Sequence, residues 1–158
     1  MTENYLLIMI QSLKKKIQVL DSIIDANERQ KIGLENPNLD PDDFDKTVEE
    51  KSKYIEHLEL LDQGFDKLFE RVKEALNNNK EAYKNEIREM QTLITTITEK
   101  SNKIQVQEAR NKELMTKKFS KIRNQAKTVR ASQQAVNQYY KNMKKLNYIE
   151  PQFMDNKK

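Results

Sequence analysis

Apolar residues recur along this chain at alternating steps of three and four, in three separate stretches. The first runs Leu6, Ile10, Leu13, Ile17, Leu20 and Ile24, then weakens towards Asn27 and Lys31. The second runs Phe44, Val48, Ile55, Leu58, Leu61, Phe65, Leu68, Val72 and Leu76. The third starts at Tyr83 and continues through Ile87, Met90, Ile94, Ile97 and Ile104. It resumes at Met115, Phe119, Ile122, Ala126, Val129, Val136, Tyr140 and Met143. A period near 3.5 is the mark of helices that bury one stripe along a seam. The pattern predicts an all-α chain, an elongated antiparallel three-helix coiled-coil bundle with a long, partly protruding C-terminal helix.

Breaks and caps set the helix limits. Thr2 is the expected N-cap of a first helix, with Glu3 in its first turn. Gly33 is read as a helix stop in the left-handed conformation, and Asn36-Pro37-Asn38 as a turn. At Leu39-Asp40-Pro41-Asp42-Asp43-Phe44, Asp40 is the expected N-cap, Pro41 the first helical residue, and Leu39 and Phe44 a hydrophobic staple. Gly64 lies inside the second helix and is read as a site of close helix packing. Asn77-Asn78-Asn79 marks a reversal, with Asn78 and Glu81 forming a capping box. No Gly or Pro occurs from Lys80 to Leu146, a length that as one helix would reach about 100 Å. Thr92–Thr98 is its weakest part. The pairs Glu99–Lys103, Glu108–Lys112 and Glu113–Lys117 support continuity. One helical domain spans 1–158, with helices over about 3–33, 41–76 and 80–147, Pro151 as terminator and 151–158 as a tail.

Composition narrows the function. Hydrophobic residues make up 36% and charged residues 34% of 158, and mean hydropathy is −0.95, which suits thin helical packing over a thick core. There is no Cys, hence no disulfide framework or thiolate chemistry, which fits a reducing cytoplasm. The longest apolar run, Tyr5–Ile10, falls well short of the about 20 residues a membrane span needs, so no membrane insertion is expected. His57 is the single histidine. Tyr54 stands where a helical Glu-x-x-His metal motif needs Glu. Two glycines cannot build a phosphate-cradling loop. No enzyme, metal or cofactor is expected.

Charge is polarised. Residues 1–79 hold 11 basic and 17 acidic side chains, whereas 80–158 hold 18 and 8. Leu114–Ile149 carries nine Lys and Arg and no carboxylate. A second helix of about 36 residues, returning antiparallel, covers the third only to about residue 115. The stripe beyond needs a partner from outside the chain. Met115, Phe119, Ile122, Val129, Val136, Tyr140 and Met143 are therefore the expected client-binding face. Nucleic acid could use the same cations with Tyr139 and Tyr140 stacking, but phosphate contact has no use for an apolar stripe. A plain coiled-coil spacer or self-associating adaptor is the other alternative, and a homodimer is among the states the seams allow.

Three stretches resemble the FlgN-type flagellar export chaperones: Leu61-Asp62-Gln63-Gly64-Phe65-Asp66, the run Ile104–Lys112, and Ala135–Met143 with the tail Phe153–Lys158. The resemblance implies a cytoplasmic, non-enzymatic chaperone. It would hold the hook–filament junction proteins FlgK and FlgL and deliver them to the type III export gate. It also implies contact between a C-terminal tyrosine, Tyr139 or Tyr140, and the gate protein FlhA.

Overall fold

The computed structural model describes residues 2–119 and Gln138. It contains three α-helices, α1 (Thr2–Glu35), α2 (Pro41–Asn78) and α3 (Lys84–Phe119), and no strand among the described residues. Cross-helix pairs fix their directions. Along α1 and α3, Lys14 meets Glu89, Asp21 meets Lys100 and Glu28 meets Arg110, so the two run parallel. Between α1 and α2, Ser12 reaches Leu61, Lys16 meets Asp62 and Gln30 meets Thr47, so these are antiparallel. The result is an up-down-up three-helix bundle. Its close backbone approaches are α1 to α2 and α1 to α3. The expected continuation of the third helix from residue 120 to about 147, and any protrusion of it, lies outside the described residues.

The α1–α2 reversal forms as its residues dictate. Asp40 is extended at φ −78° and ψ 127°, and its carboxylate accepts the Asp42 N–H at 3.0 Å. Pro41 begins the helix, and Asp42 and Asp43 sit at the positive end of its dipole. Leu39 packs with Phe44 in one apolar cluster, completing the staple. Gly33 corrects the expected stop. No glycine has positive φ, and α1 continues to Glu35. The missing side chain matters instead for packing, since a Cβ at Gly33 would lie 3.3 Å from Leu39 Cδ1. At Gly64 the expected close packing is absent: a Cβ there would meet nothing within 4 Å.

The second reversal also differs in detail. α2 runs through Asn78, and Asn79 is its C-cap, donating its N–H to Ala75 O at 3.0 Å. Asn78 is thus a helical residue rather than the cap of the next helix. A turn follows, closed by Ala82 N–H to Asn79 O at 3.0 Å, and α3 starts at Lys84, four residues later than expected. The β-branched stretch stays helical. Thr92, Thr95, Thr96 and Thr98 each donate a hydroxyl to the carbonyl four residues back, a local bond that a helix accommodates at a slight cost.

Among the described residues, two apolar clusters fill the interior. The larger holds 16 buried residues, from Leu6 to Ile23 on α1, Ile55 to Leu76 on α2 and Met90 to Ile104 on α3. The smaller, at the α1–α2 loop end, holds Leu34, Phe44, Val48, Met115 and Phe119. Removing such side chains from water, at roughly 1.5–3 kcal/mol for each large one, is the main force holding the helices together.

Candidate functional site

Met115 and Phe119 were expected on an open client-binding face, and the structure places both inside the bundle. Met115 is 1% and Phe119 4% exposed, against Leu34, Phe44 and Val48. The equal-length estimate stopped cover at about residue 115. The loop end of α1 and the first two turns of α2 extend it to Phe119, whose ring meets Phe44 edge-on at 5.4 Å between centroids. Lys118 reaches the same end and donates to Asn36 O. Ile122, Val129, Val136, Tyr139, Tyr140 and Met143 lie outside the described residues.

Between the two clusters the inward face of every helix turns polar. α1 contributes Asn27 and Gln30, α2 contributes Thr47 and Lys51, and α3 contributes Gln107, Glu108 and Asn111. Asn27 Nδ2 donates to Gln107 Oε1 at 3.1 Å. Asn111 Nδ2 donates to Asn27 O at 2.9 Å and to Gln30 Oε1 at 3.1 Å. Gln30 Nε2 donates to Thr47 Oγ1 at 3.1 Å. Lys51 Nζ donates to Gln30 Oε1 at 3.2 Å and to Glu108 Oε1. One connected network therefore joins all three helices.

The network holds an ion pair away from water, with Lys51 3% and Glu108 1% exposed. Burial disfavours charge on both partners. It pushes the Glu108 carboxyl up and the Lys51 ammonium down, each opposed by the attraction of the other. Glu108 Oε2 and Asn27 Oδ1 accept no hydrogen bond from the described groups. Nearer the far end Lys16 and Asp62 form a second interior pair at 3.0 Å, and burial likewise raises the Asp62 carboxyl. Glu108 was expected to pair along the helix surface with Lys112. It faces inward instead, since it falls on the buried stripe of α3 between Ile104 and Asn111, and pairs there with Lys51.

On the surface, Arg29 grips Glu50 with two nitrogens at 2.7 and 3.2 Å and holds Asp25 at 2.9 Å, while Tyr54 donates to Glu50 at 2.8 Å. The Arg29 bonds hold the Glu50 carboxyl below its ordinary value. Glu28 is lowered by its bond from Gln107, with Arg110 adding to it.

Sequence reading did not single out the polar layer, yet its signal is present. The first seam weakens at Asn27, the second has no apolar residue between Val48 and Ile55 on its stripe, and the third is silent between Ile104 and Met115. The up-down-up topology brings these three gaps to one level.

Among the described residues, no group of three or more His, Asp or Glu side chains could hold a metal ion, and His57 is exposed. No helix among them is long and apolar enough to cross a membrane. A cavity of about 30 Å³ at the α2–α3 turn, lined by Phe69, Leu76 and Ile87 among others, has space for water but not for an organic ligand. Comparison with protein-family models, curated proteins and solved structures gave no match.

Proposed function

We propose that the chain is a cytoplasmic, non-enzymatic export chaperone of the FlgN type, which holds hook–filament junction proteins of the FlgK and FlgL kind. One observation carries the reading. α1 and α2 close the apolar stripe of α3 as far as Phe119, and at that point both have run out, because Phe119 sits against Leu34 and Phe44 beside the α1–α2 loop. In sequence the stripe continues through Ile122, Val129, Val136, Tyr140 and Met143, among Lys and Arg with no carboxylate before Glu150. An apolar stripe flanked by cations suits an amphipathic client helix of acidic character. Contact of Tyr139 or Tyr140 with the gate protein FlhA belongs to the same reading.

The test is calorimetry of the full chain with a purified FlgK- or FlgL-like terminal helical segment. Ile122→Asp and Val129→Asp are each expected to weaken binding by about 1–3 kcal/mol while leaving the melting of the bundle unchanged. Unaltered affinity rejects the proposed face. Loss of folding in either variant means that the stripe is internal core. Tight RNA or DNA binding with a steep salt slope replaces the client by a nucleic acid.

A further inference from the structure

We propose that the loop end of the bundle opens and closes as a unit of its own, with the polar layer as its boundary. This unit comprises the last turn of α1, the first turns of α2 and the end of α3 around Met115 and Phe119.

Cohesion within the bundle comes from buried apolar contact, and that contact is interrupted. The smaller cluster has five buried residues and the larger 16, and neither includes a residue of the other. Between them α3 buries Gln107, Glu108 and Asn111 over the whole span from Ile104 to Met115, about 16 Å of helix. α2 buries Lys51 between Val48 and Ile55, and α1 buries Ala26, Asn27 and Gln30 between Ile23 and Leu34. Amides and an ion pair exchange their bonds for water at a smaller net cost per group than the exposure of a large apolar side chain. Hydration of Gln30, Lys51, Glu108 and Asn111 then separates the end from the rest. Among the described residues, the opening removes the burial of Leu34, Phe44, Val48, Met115 and Phe119, with Leu39 and Leu114 packed against them. The larger cluster stays intact, so this state lies below global unfolding.

Native-state hydrogen exchange on the full chain tests this. Amides of residues 45–49 and 113–118 are expected to exchange at least about 10-fold faster than those near Leu58 and Ile97, with one shared, non-zero denaturant slope smaller than the global one. The α2–α3 end is the internal comparison. It too consists of helix termini, but Leu76 and Met90 belong to the larger cluster. Simple fraying loosens both ends alike, without a denaturant slope, and that result overturns the proposal. Lys51→Leu combined with Glu108→Leu fills the boundary with apolar side chains and is expected to bring the two sets of amides within about 3-fold of each other. A difference that persists in the folded double variant also overturns it. If that variant does not fold, the slopes of the unaltered chain decide.

Discussion

Phe119 meets Phe44 edge to face, with ring centroids 5.4 Å apart and planes inclined at 62°, and so fastens the described end of α3 to the start of α2. Such pairs add about 0.5–1.5 kcal/mol to what burial provides. Phe119→Ala is therefore expected to lower stability by about 3 kcal/mol, or by the whole opening free energy of that end if this is smaller. Urea unfolding of the two full chains measures it. An unchanged midpoint would mean that the ring is not part of the core.

The Lys51–Glu108 pair calls for two variants. Lys51→Met leaves a carboxylate buried without its counter-charge and is expected to cost about 3 kcal/mol or more at neutral pH. Lys51→Met with Glu108→Leu removes both charges and is expected to be neutral or to stabilise by about 1–4 kcal/mol. If the double variant is less stable than Lys51→Met alone, the pair holds the interior together by attraction, and the desolvation argument fails.

Legibility followed the periodic residues. Leu6 to Ile24, Phe44 to Leu76 and Met90 to Ile104 stood on helical stripes, so three helices and two reversals could be read directly. The cap at Asp40 and Pro41 was equally plain, because those side chains act within their own turn. The polar layer was not read, since no single helix shows that its gap faces two other gaps. Cover for Met115 and Phe119 was missed for a related reason. Helix lengths placed the end of α2, but the packing of Phe44 and Leu34 around the loop added more than one turn of burial. Both glycines were misread, since Gly33 does not stop α1 and Gly64 packs closely on nothing. Nothing local distinguishes a glycine that lets Leu39 pass from one facing open space.

Gly64→Ala follows from the open space at that position. The position is helical and exposed, and a Cβ there meets nothing within 4 Å. Stability should rise by about 0.5–1 kcal/mol, read as a higher melting temperature. Gly33→Ala should gain less, because Leu39 Cδ1 at 3.3 Å must shift to admit the methyl group. A loss at Gly64 would point to a close approach that the structure does not show.

Acid should act on buried and exposed carboxylates with opposite sign. Glu28 and Glu50 are lowered in the fold, so their contribution is present above the ordinary 4.5 and is lost as pH falls through the folded values. Glu108 is raised, so protonation favours the fold, and its contribution is lost as pH climbs from 4.5 through the raised value. Stability of the unaltered chain minus that of Glu108→Gln should decrease with rising pH over this window. The difference from Glu28→Gln should increase over its acid side. Two differences of the same slope would refute the assignment.

The place of α1, close to both other helices, has a consequence for biosynthesis. Of the three helices it leaves the ribosome first, and at about 5–20 residues per second several seconds pass before Phe119 follows. α2 can pair with it soon after emergence as an antiparallel neighbour across a short loop. The side of α1 that awaits α3 stays wet in the meantime. There Asn27 holds its amide for Gln107, and Asp21 and Glu28 hold their carboxylates for Lys100 and Arg110. The nascent hairpin thus offers the ribosome exit and its neighbours a surface broken by polar groups, in place of an unbroken apolar strip.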